Sequence, residues 1–159
     1  MMGFKLITVG TLKEGYLRDA AAEYEKRLGG FCKYTSVNLK EEKLPDSPSE
    51  NEIRTALKKE SERILAEMPK KAYKIALCVE GKQLTSEELA DKLDSVGTTH
   101  GEVCMVIGSS HGLDDSVKNA CDMRLSVSKL TFPHQLMRVL LLEAVYRGFN
   151  ILKGTHYHK

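Results

Sequence analysis

The order of apolar and polar positions divides the chain into short strands that alternate with longer helices. Continuous apolar runs cover residues 4–9, 73–79 and 103–107, and residues 31–39 alternate as a half-buried strand does. A fifth short strand is predicted over residues 124–127. Strands and helices in this alternation predict an α/β domain with a mainly parallel sheet.

Helical periodicity fills the segments between the strands. Helices are predicted over residues 14–28, 51–68, 85–93, 114–120 and 133–150. Thr85 and Glu88 have the spacing of a capping box, and Asp114 suits the N-cap of the short helix. Residues 40–50 combine charge with two prolines and two serines, so we expect a loop there rather than a domain boundary.

The last predicted helix, residues 133–150, is apolar on all sides. Such a helix must be buried on all sides, so we expect one face on the sheet and the other against a second copy in a homodimer. A central core helix within a monomer is the alternative. His134 and Arg138 lie one turn apart on one side, while Glu143 and Arg147 point the opposite way with the spacing of an ion pair.

Charge is nearly balanced over the chain but not along it. The net charge of the 159 residues is only +2, which alone indicates no polyanionic partner. From residue 125 to the end, however, the sequence contains five lysines and arginines but only one acidic residue. This basic end is a weak footprint of RNA or phosphate binding. The length predicts one domain over residues 1–159 with a core of its own.

Other patterns argue against a membrane and a metal. The apolar run at the N-terminus is too short for a signal peptide, and the densest apolar stretch is followed by Glu143, so we expect a cytoplasmic protein with no membrane partner. The four cysteines include no CxxC pair, and Cys78 and Cys104 are predicted as core residues. His156 and His158 lack further ligands nearby, so no metal site is predicted.

Two polar loops follow neighbouring predicted strands. Residues 108–112 (GSSHG) follow one strand, and residues 128–132 (SKLTF) follow another. Ligands in such sheets bind beyond the carboxyl ends of the strands, so a pocket is predicted at this rim. Neither loop is a GxGxxG fingerprint or a phosphate loop, which disfavours a nucleoside triphosphate or an ordinary Rossmann cofactor. A tight strand-to-helix turn is the equal alternative for GSSHG.

Several motifs together resemble one family. They are VGTLKEGYLRDAAAEYEKRL, the EGK turn, VIGSSHGL, LSVSKLTFPHQLMRVLLLEAVYR and the terminal HYHK. In this combination they resemble the methyltransferase H family of large-subunit ribosomal RNA. Its members are small SPOUT-class enzymes that methylate N3 of a pseudouridine in 23S ribosomal RNA. The resemblance spans essentially the whole chain.

The resemblance implies a parallel-sheet α/β fold with a C-terminal trefoil knot, a homodimer, and S-adenosylmethionine as methyl donor. Periodicity does not indicate the knot; general rules of chain connection would instead predict an unknotted doubly wound sheet. The family's donor-binding positions fall on Leu77, Gly108, Val127, Ser128, Lys129, Leu130, Thr131 and Phe132. The family often has two glycines where this chain has Gly108 and Ser109.

The polar residues of the tail and of the last helix are the catalytic candidates. Histidine is the side chain that ordinarily changes charge near neutral pH, so His158 is the candidate general base for the N3 proton. With Tyr157 it would position the nucleobase, from its own subunit or from the partner subunit. Arg138 would offset negative charge on the nucleobase or a phosphate.

Three alternatives stay open from the sequence: a ribosome-binding protein that lost catalysis, a knotted methyltransferase acting on tRNA ribose, and a flavodoxin-like binder of a small ligand. The low net charge predicts weak binding to free RNA, because proteins gain most of their affinity for RNA by neutralising its phosphates. We therefore expect the substrate to be 23S ribosomal RNA within the assembled ribosome.

Overall fold

The computed structural model describes all 159 residues. It contains five strands and five helices in strict alternation, joined by loops. The strands are β1 (Gly3–Val9), β2 (Lys33–Leu39), β3 (Tyr73–Lys82), β4 (Glu102–Ile107) and β5 (Met123–Leu125). The helices are α1 (Gly15–Leu28), α2 (Glu50–Glu67), α3 (Ser86–Thr99), α4 (Asp115–Ala120) and α5 (His134–Lys153). Every strand and helix predicted from the pattern is present.

All strand pairs in the single sheet are parallel, in the order β2-β1-β4-β3-β5. The predicted α/β fold with a parallel sheet is therefore confirmed. The apolar runs of β1 and β4 follow from this order, because inner strands of a parallel sheet are covered on both faces. The trefoil knot stays a prediction.

The two faces of the sheet carry two separate cores. Along β4, Val103 and Met105 point into one core, which α1, α3 and α5 cover. Cys104 and Val106 point into the other, which α2 and α4 cover. This alternation with period two is what a pleated strand imposes, and it confirms Cys104 as a core residue.

The end of β3 departs from the sequence-based boundary. The strand was predicted to end at residue 79, but it continues to Lys82, and both Leu77 and Lys82 pair with Leu125 of β5. Residues 78–81 therefore bulge around the end of β5. For this reason Cys78 is only half-buried and is not the core residue that the apolar run predicted.

Helix ends follow capping chemistry. The predicted capping box of Thr85 and Glu88 is present at α3, and Asp114 caps α4 as expected. A second capping box, which the sequence did not predict, lies at α2, where the side chains of Ser49 and Glu52 each bond the other residue's backbone. Helix α5 runs three residues beyond its predicted end and stops at Gly154, whose φ of 70° is the left-handed C-cap conformation.

Helix α5 is enclosed by its own chain over only part of its length. Leu141, Leu142 and Val145 are fully buried against the sheet. Residues 134–140, in the first two turns, are all half-buried, although Leu136 and Leu140 are large apolar side chains. The chain by itself therefore leaves the first two turns of this apolar helix half-buried, and the homodimer stays a prediction.

A first prediction concerns the contact between Gly81 and the end of β5. A Cβ at Gly81 would lie 2.6 Å from the carbonyl carbon of Leu125 and 2.7 Å from the nitrogen of Ser126, both backbone atoms that cannot step aside. We expect Gly81→Ala to lower the free energy of unfolding by about 1–3 kcal/mol, the usual cost of overpacking. Urea denaturation measures this change.

Gly15→Ala is the matched control, because the atom nearest to its added Cβ is 3.6 Å away at the flexible end of Arg18. Because residue 15 begins α1 and alanine has the better helix propensity, Gly15→Ala should raise the free energy of unfolding by up to about 1 kcal/mol. Equal unfolding free energies for the two variants would contradict the contact at Gly81.

Candidate functional site

A cavity of about 360 Å³ opens at the carboxyl ends of β3, β4 and β5. Three segments line it. They are residues 77–80 at the bulged end of β3, residues 107–113 from the end of β4, and residues 125–132 from the end of β5 with the exception of Lys129. The volume lies within the usual range for small-molecule sites. The rim that the order of strands and loops predicted is therefore concave.

Most of the donor-binding positions carried over from the family resemblance meet at this cavity. Those that line it are Leu77, Gly108, Val127, Ser128, Leu130, Thr131 and Phe132. Lys129 is exposed and does not contribute to the lining. One continuous cavity thus collects seven of the eight positions, although they come from three strand ends.

The loop GSSHG is both a tight turn and a wall of the cavity. Ser109 and Gly112 pair as an isolated antiparallel bridge, and the amide of Gly112 donates to the carbonyl of Ser109 over 2.9 Å. A Cβ at Gly108 would lie 2.2 Å from the carbonyl oxygen of Gly112. Glycine is needed at residue 108 because the two backbone segments touch there.

In the opposite wall, residues 126–132, many backbone amide and carbonyl groups have no hydrogen-bond partner within the protein. Its internal bonds are side-chain bonds: Ser126 Oγ donates to the carbonyl of Ser128, and Ser128 Oγ accepts from the amide of Leu130. No backbone–backbone hydrogen bond outside the helices and strands involves residues 127–132. Since Leu130 is also 72% exposed, this wall offers both apolar surface and free amide and carbonyl groups.

Behind the GSSHG turn lies a buried carboxylate that was not among the residues predicted from the sequence. Glu60 of α2 is only 4% exposed, accepts a 2.9 Å hydrogen bond from Ser109 Oγ, and accepts another of 2.9 Å from the amide of Glu42. A buried carboxylate needs such donors. Its signal in the sequence was an acid within the apolar stripe formed by Ile53, Ala56 and Ile64.

A second prediction follows from this bond. Ser109→Ala removes a donor from a buried carboxylate, and we expect the free energy of unfolding to fall by about 1–3 kcal/mol. Ser110→Ala, at the exposed neighbouring position, should leave it within about 0.5 kcal/mol of the parent protein. Thermal or urea denaturation distinguishes the two, and a loss for Ser110→Ala as large as that for Ser109→Ala would contradict the role of Glu60.

Next to the cavity, Arg138 and His134 meet the end of β1. The Nη2 of Arg138 donates to the carbonyl of Gly10 over 2.8 Å, and its Nε is buried without a partner. Burial lowers the pKa of Arg138, against the opposing effects of Tyr34 and Glu25. His134 lines the cavity, whereas Arg138 stands beside it.

The C-terminal tail is tied down, as its apolar lead-in predicted, on α5 and α3 of its own chain. The Tyr157 hydroxyl donates to Glu143, and the guanidinium of Arg147 stacks 4.8 Å from the centre of the Tyr157 ring. The predicted ion pair of Glu143 and Arg147 is confirmed at 2.8 Å. Burial, and then the bond to Glu143, raises the pKa of Tyr157.

Both ring nitrogens of His158 are engaged in this arrangement. Nδ1 lies 3.2 Å from Nη1 of Arg147, which can only donate, and Nε2 lies 2.8 Å from a carboxylate oxygen of Glu87. None of these partners lines the cavity. The structure therefore does not bring Tyr157 and His158 into the cavity of their own chain.

No group of three or more histidine, cysteine, aspartate and glutamate side chains is placed to hold a metal ion. None of the five helices combines the length and the apolarity needed to cross a membrane.

Comparison with known proteins gives full-length matches. Residues 2–158 match a family model described as predicted SPOUT methyltransferase. The ribosomal RNA large subunit methyltransferase H of Bacillus pumilus is 48% identical over 159 residues, which cover 99% of this chain and 100% of that protein. The protein of the same name from Bifidobacterium adolescentis is 51% identical over 160 residues, with the same coverage.

Among solved structures, a probable methylase family protein from Haemophilus influenzae superposes with a TM-score of 0.55. The match covers 98% of this chain and 70% of that one, at 15% sequence identity. At that identity the likeness concerns the fold alone.

Proposed function

Because the chain belongs to the SPOUT methyltransferase family, and to the large-subunit ribosomal RNA methyltransferases H within it, we propose that it methylates ribosomal RNA. The methyl donor is S-adenosylmethionine and the acceptor is N3 of a pseudouridine in 23S ribosomal RNA. The observation that carries this proposal is the sequence identity of 48% and 51%, over the full length, to two relatives of that name. Residues 1–159 would act as one catalytic domain in the cytoplasm, where ribosomes are found.

The cavity fits the donor that the proposal requires. Apolar side chains such as Leu77, Val127 and Leu130 suit the faces of an adenine ring, and the unpaired amides and carbonyls of residues 127–132 suit its polar edge. Leu77, Gly108 and residues 127–132 would hold S-adenosylmethionine, with Lys129 contributing backbone rather than side chain. The bound donor supplies an electrophilic methyl group on a positively charged sulfur.

Two features favour a homodimer with a composite site. The first turns of α5 leave Leu136 and Leu140 half-buried, so an apolar stripe is available to a second copy. Tyr157 and His158 lie outside the cavity of their own chain. In a dimer that pairs these surfaces, the tail of one subunit would complete the cavity of the other.

The chain's own residues would bind and orient the nucleobase and handle one proton. N3 of pseudouridine is a weak acid that must lose its proton before or during attack on the methyl group. Arg138 keeps an unpaired Nε–H and carries a positive charge beside the cavity, so it would stabilise the negative charge that develops on the base. Tyr157 would position the base, and His158 could accept the proton only after Arg147 releases Nδ1. Alignment of the two reactants would supply much of the acceleration.

The net charge of the protein bears on whether free RNA or the assembled ribosome is the substrate. A net charge of +2 gives little general affinity for naked RNA, so shape recognition must contribute. We therefore propose that the assembled ribosome, rather than free RNA, is the substrate.

A third prediction tests the function directly. The protein is incubated with isotopically labelled S-adenosylmethionine and with free 23S RNA, large subunits or assembled ribosomes from cells that lack this enzyme. We expect label in N3-methylated pseudouridine, identified by nucleoside mass spectrometry, and the fastest transfer with assembled ribosomes.

The alternatives give different results in the same assay. Donor binding by calorimetry without transfer to any of the three substrates would indicate a ribosome-binding protein. Label on a ribose would indicate a ribose methyltransferase, and failure to bind the donor would contradict the proposal altogether.

A fourth prediction asks which subunit supplies the tail. Leu130→Asp places a charge on the apolar wall of the cavity, and Tyr157→Ala with His158→Ala removes the tail groups. Each homodimer should be inactive, but mixed dimers should recover about half of the activity of the parent dimer if the tail acts on the partner's cavity. Mixed dimers prepared with two affinity tags measure this, and inactive mixed dimers would place the tail's action within one subunit.

A further inference from the structure

His134 is a cavity residue whose imidazole is free. It is the first residue of α5, is half-buried, and lines the cavity beside Phe132 and Met137. The hydrogen bonds that tie the first turns of α5 to the rest of the chain come from Gln135 and Arg138, and none reaches the His134 ring. A proton acceptor needs an unshared nitrogen lone pair, and His134 has one.

This freedom distinguishes His134 from His158. In the tail, Arg147 occupies one nitrogen of His158 and Glu87 the other, so that ring must break a hydrogen bond before it can accept a proton. The imidazole of His134 needs no such rearrangement. It also lies in the cavity of the same chain that would hold the methyl donor.

Charged groups around His134 come from four parts of the chain. Burial has the largest effect and lowers the pKa of His134 below its ordinary value of 6.5. Arg138 of α5 and Lys13 before α1 lower it further, whereas Glu41 before α2 and Glu60 within α2 raise it. A histidine with a lowered pKa is neutral at pH 7, which is the form that accepts a proton.

His134 and Arg138 converge on one spot. They are one turn apart on α5, Arg138 Nη2 bonds the carbonyl of Gly10, and a Cβ at Gly10 would lie 3.7 Å from Nε2 of His134. The same Cβ would lie 3.1 Å from a carboxylate oxygen of Glu41. A proton acceptor, a cation and a carboxylate thus surround the end of β1 at the edge of the cavity.

We propose that the imidazole of His134 is the general base that removes the N3 proton of the pseudouridine. This inference rests on the proposed function. The N–H bond breaks, the proton moves to the free ring nitrogen, and the electron pair stays on N3, which becomes the nucleophile. Arg138 stabilises the negative charge, and after methyl transfer His134 returns the proton to solvent. The tail then orients the base and excludes water rather than accepting the proton.

A fifth prediction has a readout that needs neither donor nor RNA. In the free protein, the ring proton signals of His134, assigned by their loss in His134→Gln, should titrate below pH 6.5 in NMR spectra. Glu41→Gln removes a group that raises this pKa, so the titration should move to still lower pH. His100, an exposed histidine at the end of α3 that does not line the cavity, provides the matched control variant below.

The kinetic arm uses single turnovers on assembled ribosomes across pH. In the parent protein the rate should be constant at neutral pH and should fall as acid protonates His134. His134→Gln should lower the rate at pH 7 by at least about a hundredfold, as loss of a general base does, while donor affinity stays within about twofold. The deficit should shrink at high pH, where N3 ionises without help. His100→Gln should leave both quantities unchanged.

Each other outcome overturns the inference in a distinct way. A rate for His134→Gln equal to that of the parent protein, or a deficit of the same size at every pH, would remove His134 as the base. A pH-dependent deficit in His158→Gln instead would assign the proton to the tail. If the parent protein transfers no methyl group at all, the proposed function fails, and the NMR titration still reports on the His134 environment.

Discussion

The backbone contact between Gly81 and the peptide joining Leu125 to Ser126 determines where the cavity lies. Because residue 81 has no Cβ, the bulged end of β3 can wrap around the end of β5, and the amide of Ser126 donates to the carbonyl of Lys82. The wrap brings residues 77–80 and the loop that follows β5 together as two walls of the cavity. Gly108, pressed against Gly112, supplies the third wall by the same device of close backbone approach.

Buried polar groups hold these walls in place from behind. Glu60 bonds both Ser109 in the GSSHG turn and the amide of Glu42 in the segment before α2, so one carboxylate ties the turn to a second loop. Moving the turn would leave a buried carboxylate oxygen without its hydrogen-bond donor, which is costly, so this arrangement favours one position of the turn. Rigid support of this kind is what a site that aligns two reactants requires.

Helix α5 joins the structural and the chemical parts of the molecule. Its first turn presents His134 to the cavity, and its second turn directs Arg138 to the end of β1. Its middle turns complete the core, and Glu143 and Arg147 hold the tail. The apolar residues of its first two turns stay half-buried within the chain. A tail held by hydrogen bonds and ring contacts, rather than by core packing, can be released at a modest cost in free energy.

The sequence by itself determined the elements and the edge of the sheet where the site lies. Period-two and helical patterns are local, and all ten elements followed from them, as did the capping box at Thr85 and the ion pair of Glu143 with Arg147. Only the tertiary structure decided that Cys78 faces the cavity rather than the core and that Glu60 supports the GSSHG turn. It also decided that both ring nitrogens of His158 have hydrogen-bond partners, whereas those of His134 have none. These are contacts between residues far apart in the chain. Local periodicity carries no information about them, because they depend on how β3 wraps around β5 and on how the helices pack across the sheet.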